Sequence, residues 1–306
     1  KTKIVQTESS LQIAATQIAI EQMKGQSSKD TKKLEIDQKE IITSENLDKL
    51  MDEVIYSDES NSPLLVRFSR FGDHLLGIVD DNKVILYDLI QRKIQNTIEN
   101  ESPIDNIEFF DQYPYLVVST DDHKLVIWDY VNKTKLNEMS AAISWTGKAS
   151  VTDVAVSPNG HFIANSANDT LRLWSLNSDL LLDKLDGNAN YFTSVTFSPD
   201  SKMLASGSRD NGIRLWNVEY GKLNVVDSFR GQSEPINDLK FSPDGKLLIS
   251  SDDLIRFYDI DKGEMINSTK GWGKLAISPD GKLLLNSGWD GFLIRNGEDG
   301  TVIKSM

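Results

Sequence analysis

Six aspartates recur along this chain of 306 residues, Asp81, Asp122, Asp169, Asp210, Asp252 and Asp290, and with three histidines, His74, His123 and His161, they are the groups that could do acid–base or metal chemistry. Such chemistry needs convergence, either a base within hydrogen-bond reach of a nucleophile or carboxylates close enough to shift one another's pKa. These aspartates instead stand about forty residues apart, one to each copy of a repeating pattern, so each falls on its own turn. Turn capping through Asx-type hydrogen bonds is the role that placement favours. The histidines lie in or beside hairpin turns of three different repeats and read as solvated turn residues. There is no cysteine, which excludes disulfides, thiolate metal sites and cysteine nucleophiles.

The elements behind these residues are legible from two markers that recur in phase. The first is a Ser-Pro-Asp-Gly-like turn, explicit at Ser157-Pro158-Asn159-Gly160, Ser198-Pro199-Asp200-Ser201, Ser242-Pro243-Asp244-Gly245 and Ser278-Pro279-Asp280-Gly281, and blurred at Ser69-Arg70-Phe71-Gly72 and around Phe110-Asp111. Pro presets φ at the first corner and Gly takes the left-handed one, so each is a tight hairpin. The strand ends before these turns, Phe68, Phe109, Val156, Phe197, Phe241 and Ile277, are spaced by 41, 47, 41, 44 and 36 residues, a period that reads as four-stranded blades. The second marker closes a later strand: Tyr87-Asp88, Trp128-Asp129, Trp174-Ser175, Trp216-Asn217 and Tyr258-Asp259, with Asn296-Gly297 as the expected sixth copy.

Taken together these residues resemble the WD-repeat β-propeller family, from about Pro63 to Met306. The resemblance implies an all-β propeller of six to seven four-stranded antiparallel blades over 61–306. The sequence departs from the family where a Gly-His dipeptide often precedes the first strand of a blade; Gly187-Asn188 and Gly231-Gln232 stand there instead. A weaker stretch, Ser208-Arg209-Asp210-Asn211-Gly212, resembles the Asp-box of sialidases, but it occurs once and its Trp216 falls one residue too far along. Outer strands are expected near 94–98, 134–139, 180–185, 223–229, 265–269 and 301–305, after which the chain stops. Closure is therefore open between a six-bladed ring and a seventh blade drawn from residues such as 33–43 and 54–56, or lying outside the chain.

Residues 1–60 read differently. Leu11, Ala14, Ala15, Ile18 and Met23 fall near helical spacing, and Leu47, Leu50, Met51, Val54 and Ile55 follow i, i+3, i+4, i+7, i+8. Ser44 suits an N-cap, with Glu45 and Asp48 in the first turn where negative charge favours the helix dipole. A helical N-terminal segment that packs on the propeller or couples it to another domain or subunit is expected, and the first residue, Lys1, leaves open a processed form, a trimmed chain or a piece of a larger multidomain protein or assembly.

The net charge of −13 argues against nucleic acid, whose phosphates are held by clustered Lys and Arg, and favours a protein or basic peptide. No run of eighteen apolar residues suggests a membrane span, and a cytoplasmic setting is expected without excluding an extracellular one. In a four-stranded blade the loop before the first strand and the turn between the second and third lie at one end. That face carries the candidate partner-binding residues Asp80, Asp121, Trp145, Tyr191, Arg209 and Trp289. Trp128, Trp174 and Trp216 fill the repeat's own aromatic place and are packing residues. With no catalytic, cofactor or metal residues assigned, the function expected is a non-catalytic interaction scaffold or sensor in signalling; the alternatives are a propeller-type hydrolase or lyase and a carbohydrate-binding propeller.

Overall fold

Six four-stranded antiparallel sheets are arranged as six blades. The computed structural model describes residues 65–69, 75–88, 91, 93–141, 151–176, 180–185, 191–230, 232–278, 280–288 and 291–305. Blade 1 consists of β1 (Leu65–Phe68), β2 (Leu75–Asp80), β3 (Lys83–Asp88) and β4 (Lys93–Glu99), and blade 2 of β5 (Ile104–Phe109), β6 (Tyr115–Thr120), β7 (Lys124–Asp129) and β8 (Thr134–Ser140). Blade 3 has β9 (Val151–Val156), β10 (Phe162–Ala167), β11 (Thr170–Ser175) and β12 (Leu181–Leu185); blade 4 has β13 (Phe192–Phe197), β14 (Met203–Ser208), β15 (Ile213–Glu219) and β16 (Lys222–Phe229). Blade 5 comprises β17 (Asp238–Phe241), β18 (Leu247–Ser251), β19 (Leu254–Asp259) and β20 (Glu264–Lys270), and blade 6 β21 (Leu275–Ile277), β22 (Leu283–Gly288), β23 (Gly291–Asn296) and β24 (Val302–Ser305). Each sheet follows chain order from an inner first strand to an outer fourth. The outer strands match the sequence expectation to about a residue. No helix occurs among the described residues; the helical segment expected in 1–60, and the stretches 33–43 and 54–56 considered for a seventh blade, lie outside them.

The Ser-Pro-Asp-Gly signature forms the predicted hairpins by a fixed set of bonds. In blade 5 the Ser242 hydroxyl donates to Asp244 Oδ1 (2.6 Å), accepts from the Leu247 amide (2.9 Å), and Gly245 N–H closes the turn on the Ser242 carbonyl (2.9 Å). Serines 198 and 278 repeat the pattern, which is why serine and an acid two residues later recur together. Those bonds hold the carboxyls of Asp244, Asp200 and Asp280 below the ordinary range, against a burial that alone would raise them.

At the second marker every third strand shifts register by one residue against the outer strand, at Leu86/Tyr87, Ile127/Trp128, Leu173/Trp174, Leu215/Trp216, Phe257/Tyr258 and Ile294/Arg295. The sixth copy is therefore Arg295-Asn296, one residue earlier than the Asn296-Gly297 expected from sequence. Its chemistry agrees. Asn296 Oδ1 accepts from Glu298 N (2.8 Å) as Asp129 Oδ1 accepts from Asn132 N (2.8 Å), and Arg295 Nε donates to Asn286 Oδ1 (2.7 Å) as Trp174 Nε1 donates to Asn165 Oδ1 (2.7 Å). Arg295 is 1% exposed, and burial pulls its guanidinium below its usual range. Its remaining donors go to the Gly300 and Lys270 carbonyls and to Thr269 Oγ1, neutral acceptors throughout.

Blades pack face to face through apolar clusters. Between blades 4 and 5, Ala205, Ile213, Leu215 and Phe229 meet Ile236, Leu239, Phe241, Leu248 and Tyr258, and equivalent clusters join blades 1 to 2, 2 to 3, 3 to 4 and 5 to 6. Two rings of polar contacts add to this. Inside, one position of the first strands of blades 2 to 5 forms a belt: Asn106 Nδ2 donates to Asp153 Oδ1 (3.2 Å), and the Ser194 hydroxyl lies 3.0 Å from Asp153 Oδ2 and 3.2 Å from Asp238 Oδ1. Asp153 also takes the Val195 amide of the next blade (2.9 Å), and Asp238 the Leu275 amide (2.8 Å).

Outside, the residue following the outer-strand bulge reaches the neighbouring blade in blades 1, 3 and 5. Asn96 Nδ2 donates to the Tyr130 carbonyl (2.7 Å), Asp183 Oδ2 accepts from Leu223 N (2.8 Å), and Asn267 Nδ2 donates to the Asp299 carbonyl (2.6 Å). Asp227 lies against Gly263, where a Cβ would come within 2.9 Å of its carboxylate.

One turn residue contradicts its type. Tyr220 has φ of 50° and is fully exposed at 100%, so a ring that disfavours the left-handed region gains nothing from packing. The next residue, Gly221, also has positive φ and abuts Leu182. Replacing Tyr220 with Asn, which tolerates this conformation, is expected to raise stability by about 0.5–1 kcal/mol, read from a shifted denaturant midpoint at unchanged slope; a lower midpoint would show that the ring contributes to the fold.

Candidate protein-interaction face

Backbone bonds fix one face of the propeller. The turn between the second and third strands of a blade bonds to the loop entering the next blade: Asp81 O accepts from Ile104 N (2.9 Å), Asn82 O from Asn100 N (2.7 Å) and Asn168 O from Phe192 N (2.7 Å). The two classes of loop expected to share an end therefore do.

On this face Arg209 and Tyr191 come together. Their guanidinium and ring lie 5.4 Å apart, and Arg209 N–H donates to the Tyr191 carbonyl (2.9 Å). Arg209 is exposed and Tyr191 is 46% exposed, so the pair presents a cation and an aromatic ring to solvent from adjacent loops. Asp121 is exposed on the turn of blade 2, while Asp80 is half-buried where β2 meets the hairpin and pairs across it with Lys83. Trp145 and Trp289 lie outside the described residues.

Sequence reasoning missed Asp105, which is exposed on the strand beside Asp121. Burial of its carboxyl and the Asp121 charge push its pKa up, opposed by His123. Asp81, Asp122, Asp169 and Asp253 are also exposed on turns of this face, with Asp122 and Asp253 paired to Lys124 and Arg256, so the face is rich in carboxylates.

The turn aspartates divide into two kinds. Asp122 and Asp169 accept from the hydroxyls of Thr120 and Thr170, Asp122 also pairing with Lys124 two residues on (3.0 Å). Asp210 and Asp252 are ion-paired to an arginine two residues before the strand-end aromatic, Arg214 (2.6 Å) and Arg256. Arg214 and Ser208 outweigh burial and hold Asp210 below the carboxylate range; for Asp252 burial and the neighbouring Asp253 win, and its pKa is raised. The sequence signal was present in Ile213-Arg214-Leu215-Trp216 and Ile255-Arg256-Phe257-Tyr258. Gln232, at the Gly-His place, is 7% exposed and donates through Nε2 to the Tyr258 hydroxyl (2.7 Å), so an amide and a phenol replace imidazole and indole there. Among the described residues no group of three or more His, Asp or Glu could hold a metal ion, and no helix is long and apolar enough to cross a membrane.

Blades of four antiparallel strands, serine–acid hairpins and strand-closing aromatics that mark a fixed bulge define a WD-repeat β-propeller. The chain carries those repeats in the sense of the family described as "WD domain, G-beta repeat", whose model matches residues 141–175, 180–217 and 223–259. It is 25% identical over 242 residues to the human protein "Apoptotic protease-activating factor 1", covering 65% of this chain and 19% of that one. It is 26% identical over 162 residues to the Schizosaccharomyces pombe "Target of rapamycin complex subunit wat1", covering 52% of this chain and 49% of the relative. The chain thus spans about a fifth to a half of these relatives' lengths. A chain in a solved structure titled "Crystal Structure of Mitotic Checkpoint Complex" shares the fold at a TM-score of 0.68 and 15% identity, covering 79% of this chain and 76% of that one.

Proposed function

We propose that this propeller is a non-catalytic protein-interaction scaffold or sensor within a larger multidomain protein or assembly, and that it holds a basic peptide or protein segment on the face carrying Asp80, Asp121, Trp145, Tyr191, Arg209 and Trp289. The observation that carries the reading is the exposed Arg209–Tyr191 pair set among carboxylates. Arg and Tyr are frequent interface anchors, and surrounding negative charge steers a basic partner. Relatives named for complexes and for protease activation support an interaction role, and Asp122, Asp169, Asp210 and Asp252 are taken up by capping and ion pairs rather than left for acid–base work.

Replacing Tyr191 and Arg209 together with Ala is expected to weaken partner binding by about 30-fold or more, the size of a hot-spot loss, with the melting temperature nearly unchanged. Added salt should slow association by screening, and acidification should weaken it as Asp105, with its raised pKa, loses charge. Partner capture from extract by wild type and double variant, followed by binding of the captured protein in purified form, checks this. Identical affinity would move the site elsewhere. Turnover of a small substrate without protein binding would replace the scaffold by an enzyme.

A further inference from the structure

Charge on the loop face is sorted by blade. Over blades 1 to 3 the exposed charged groups of the turns and entry loops are Asp81, Glu101, Asp105, Asp121, Asp122 and Asp169. Asp122 is neutralised by Lys124 (3.0 Å), and Lys83 by Glu99 (3.4 Å); the other five carboxylates have no ion-pair partner among the described residues. Entry loop and turn act together here, because the Asp121 amide donates to the Pro103 carbonyl (3.1 Å) and the Asp121 charge acts on the Asp105 carboxyl. Over blades 4 to 6 the sign changes. Asp210, Asp252 and Asp253 are taken up by Arg214 and Arg256, which leaves the exposed Arg209, Arg230 and Lys270 against a single exposed Glu234, while Lys274 acts on the buried Asp238. Register places those cations beside the turns: Phe229, next to Arg230, pairs with Ile213, and Lys270 pairs with Leu254.

We propose that the partner segment held on this face is bipolar, with a basic cluster that lies over blades 1 to 3 and an acidic cluster that lies over blades 4 to 6. This rests on the loop-face reading above and adds the order of charges along the partner. Like charges brought together across an interface are penalised and opposite ones fix its register, so a wholly basic segment that extends past Tyr191 meets Arg209, Arg230 and Lys270 and is repelled there. A segment that turns acidic at that point is attracted along its whole length. From the turn of blade 2 to that of blade 4 is two sheet spacings, about 20 Å, which an extended chain covers in about six residues. The Arg209–Tyr191 pair stands where blade 4 begins, so its ring meets the partner between the two clusters.

Three synthetic peptides with blocked ends test this on the full chain at low salt, where surface charge is least screened. One has two lysines, a spacer of about six glycine and serine residues and two glutamates; the others carry lysine at both ends or glutamate at both ends. The bipolar peptide is expected to bind about tenfold tighter or more than either uniform one, read by fluorescence anisotropy. In Arg230→Glu combined with Lys270→Glu the wholly basic peptide should overtake it, and in Glu101→Lys combined with Asp121→Lys the wholly acidic one should. All four positions are exposed and leave the Arg209–Tyr191 pair in place, and unchanged melting temperatures check the fold. A spin label on the basic end should broaden the amide resonances of Asp105 and Asp121, and one on the acidic end those of Arg230 and Ser233. A wholly basic peptide that binds wild type as tightly as the bipolar one would overturn the charge order while leaving the basic-partner reading standing. No binding by any of the three, preferences that ignore the reversals, or broadening away from this face would also overturn it. Failure of the loop-face reading looks different: a captured partner whose affinity ignores the Tyr191 and Arg209 double variant.

Discussion

Replacing Asp153 with alanine is expected to lower stability by about 3–5 kcal/mol, because it strands buried donors on two neighbouring blades at once. The carboxylate, 7% exposed, accepts from Asn106 Nδ2, Val154 N, the Ser194 hydroxyl and Val195 N at 2.9–3.2 Å. Asp153→Asn keeps an acceptor and should cost about half as much. Asp238, its counterpart in blade 5, adds a pH signature. Burial would raise its carboxyl, but Lys240, Lys274, the Leu275 amide and Arg67 outweigh burial and hold it below the ordinary range. A carboxyl depressed on folding contributes stability that is fully present above its unfolded value, about pH 4, and lost as pH falls through the folded one. Acid should therefore loosen the wild type below about pH 4, and Asp238→Asn should flatten that part of the profile. Denaturant melts across pH check both; a loss under 1 kcal/mol for Asp153→Ala would show that the belt is dispensable.

Trp216→Ala should cost about 3–5 kcal/mol, as deletion of a large buried aromatic does. The ring is 6% exposed, packs between blades 3 and 4 with Leu173, Phe197, Leu204 and Leu223, and its Nε1 donates to Ser206 Oγ (2.9 Å). Asp210→Asn should cost less, about 1–2 kcal/mol, because its pair with Arg214 is only four-fifths buried and the amide keeps an acceptor for Gly212 N. Comparable losses in the two melts would mean that turn and strand end act as one network rather than as separate parts.

The contrast between these parts also explains what could be read in advance. Hairpins were legible because serine, proline, acid and glycine act within one short turn, and strand-end aromatics because Trp128, Trp174 and Trp216 share one place in the repeat. Arg295 hid the sixth aromatic place: a charged side chain does not look like core, although its Nε makes the bond that an indole makes. The belt was hidden for another reason. Asn106, Asp153, Ser194 and Asp238 differ in type and meet across 41 to 47 residues of chain, so neither composition nor local spacing signals them. For the candidate face, the shared end of two loop classes followed from blade topology, whereas the Arg209–Tyr191 contact and the Asp105 carboxyl depended on how one loop folds over the next.

The bulge that marks each strand end bears on how such molecules coexist at high concentration. Among the described residues every outer strand is an unpaired sheet margin with aliphatic side chains in the open, the combination that templates growth of one sheet onto another. A one-residue slip in the ladder bends the strand and leaves the extra residue unpaired, and here it sits beneath the exposed pairs Val225-Val226, Met265-Ile266 and Val302-Ile303. A straight incoming strand could follow such a margin for only two or three residues before its hydrogen bonds fell out of step. The same irregularity that seats an aromatic in each blade therefore keeps the six margins from nucleating fibrils.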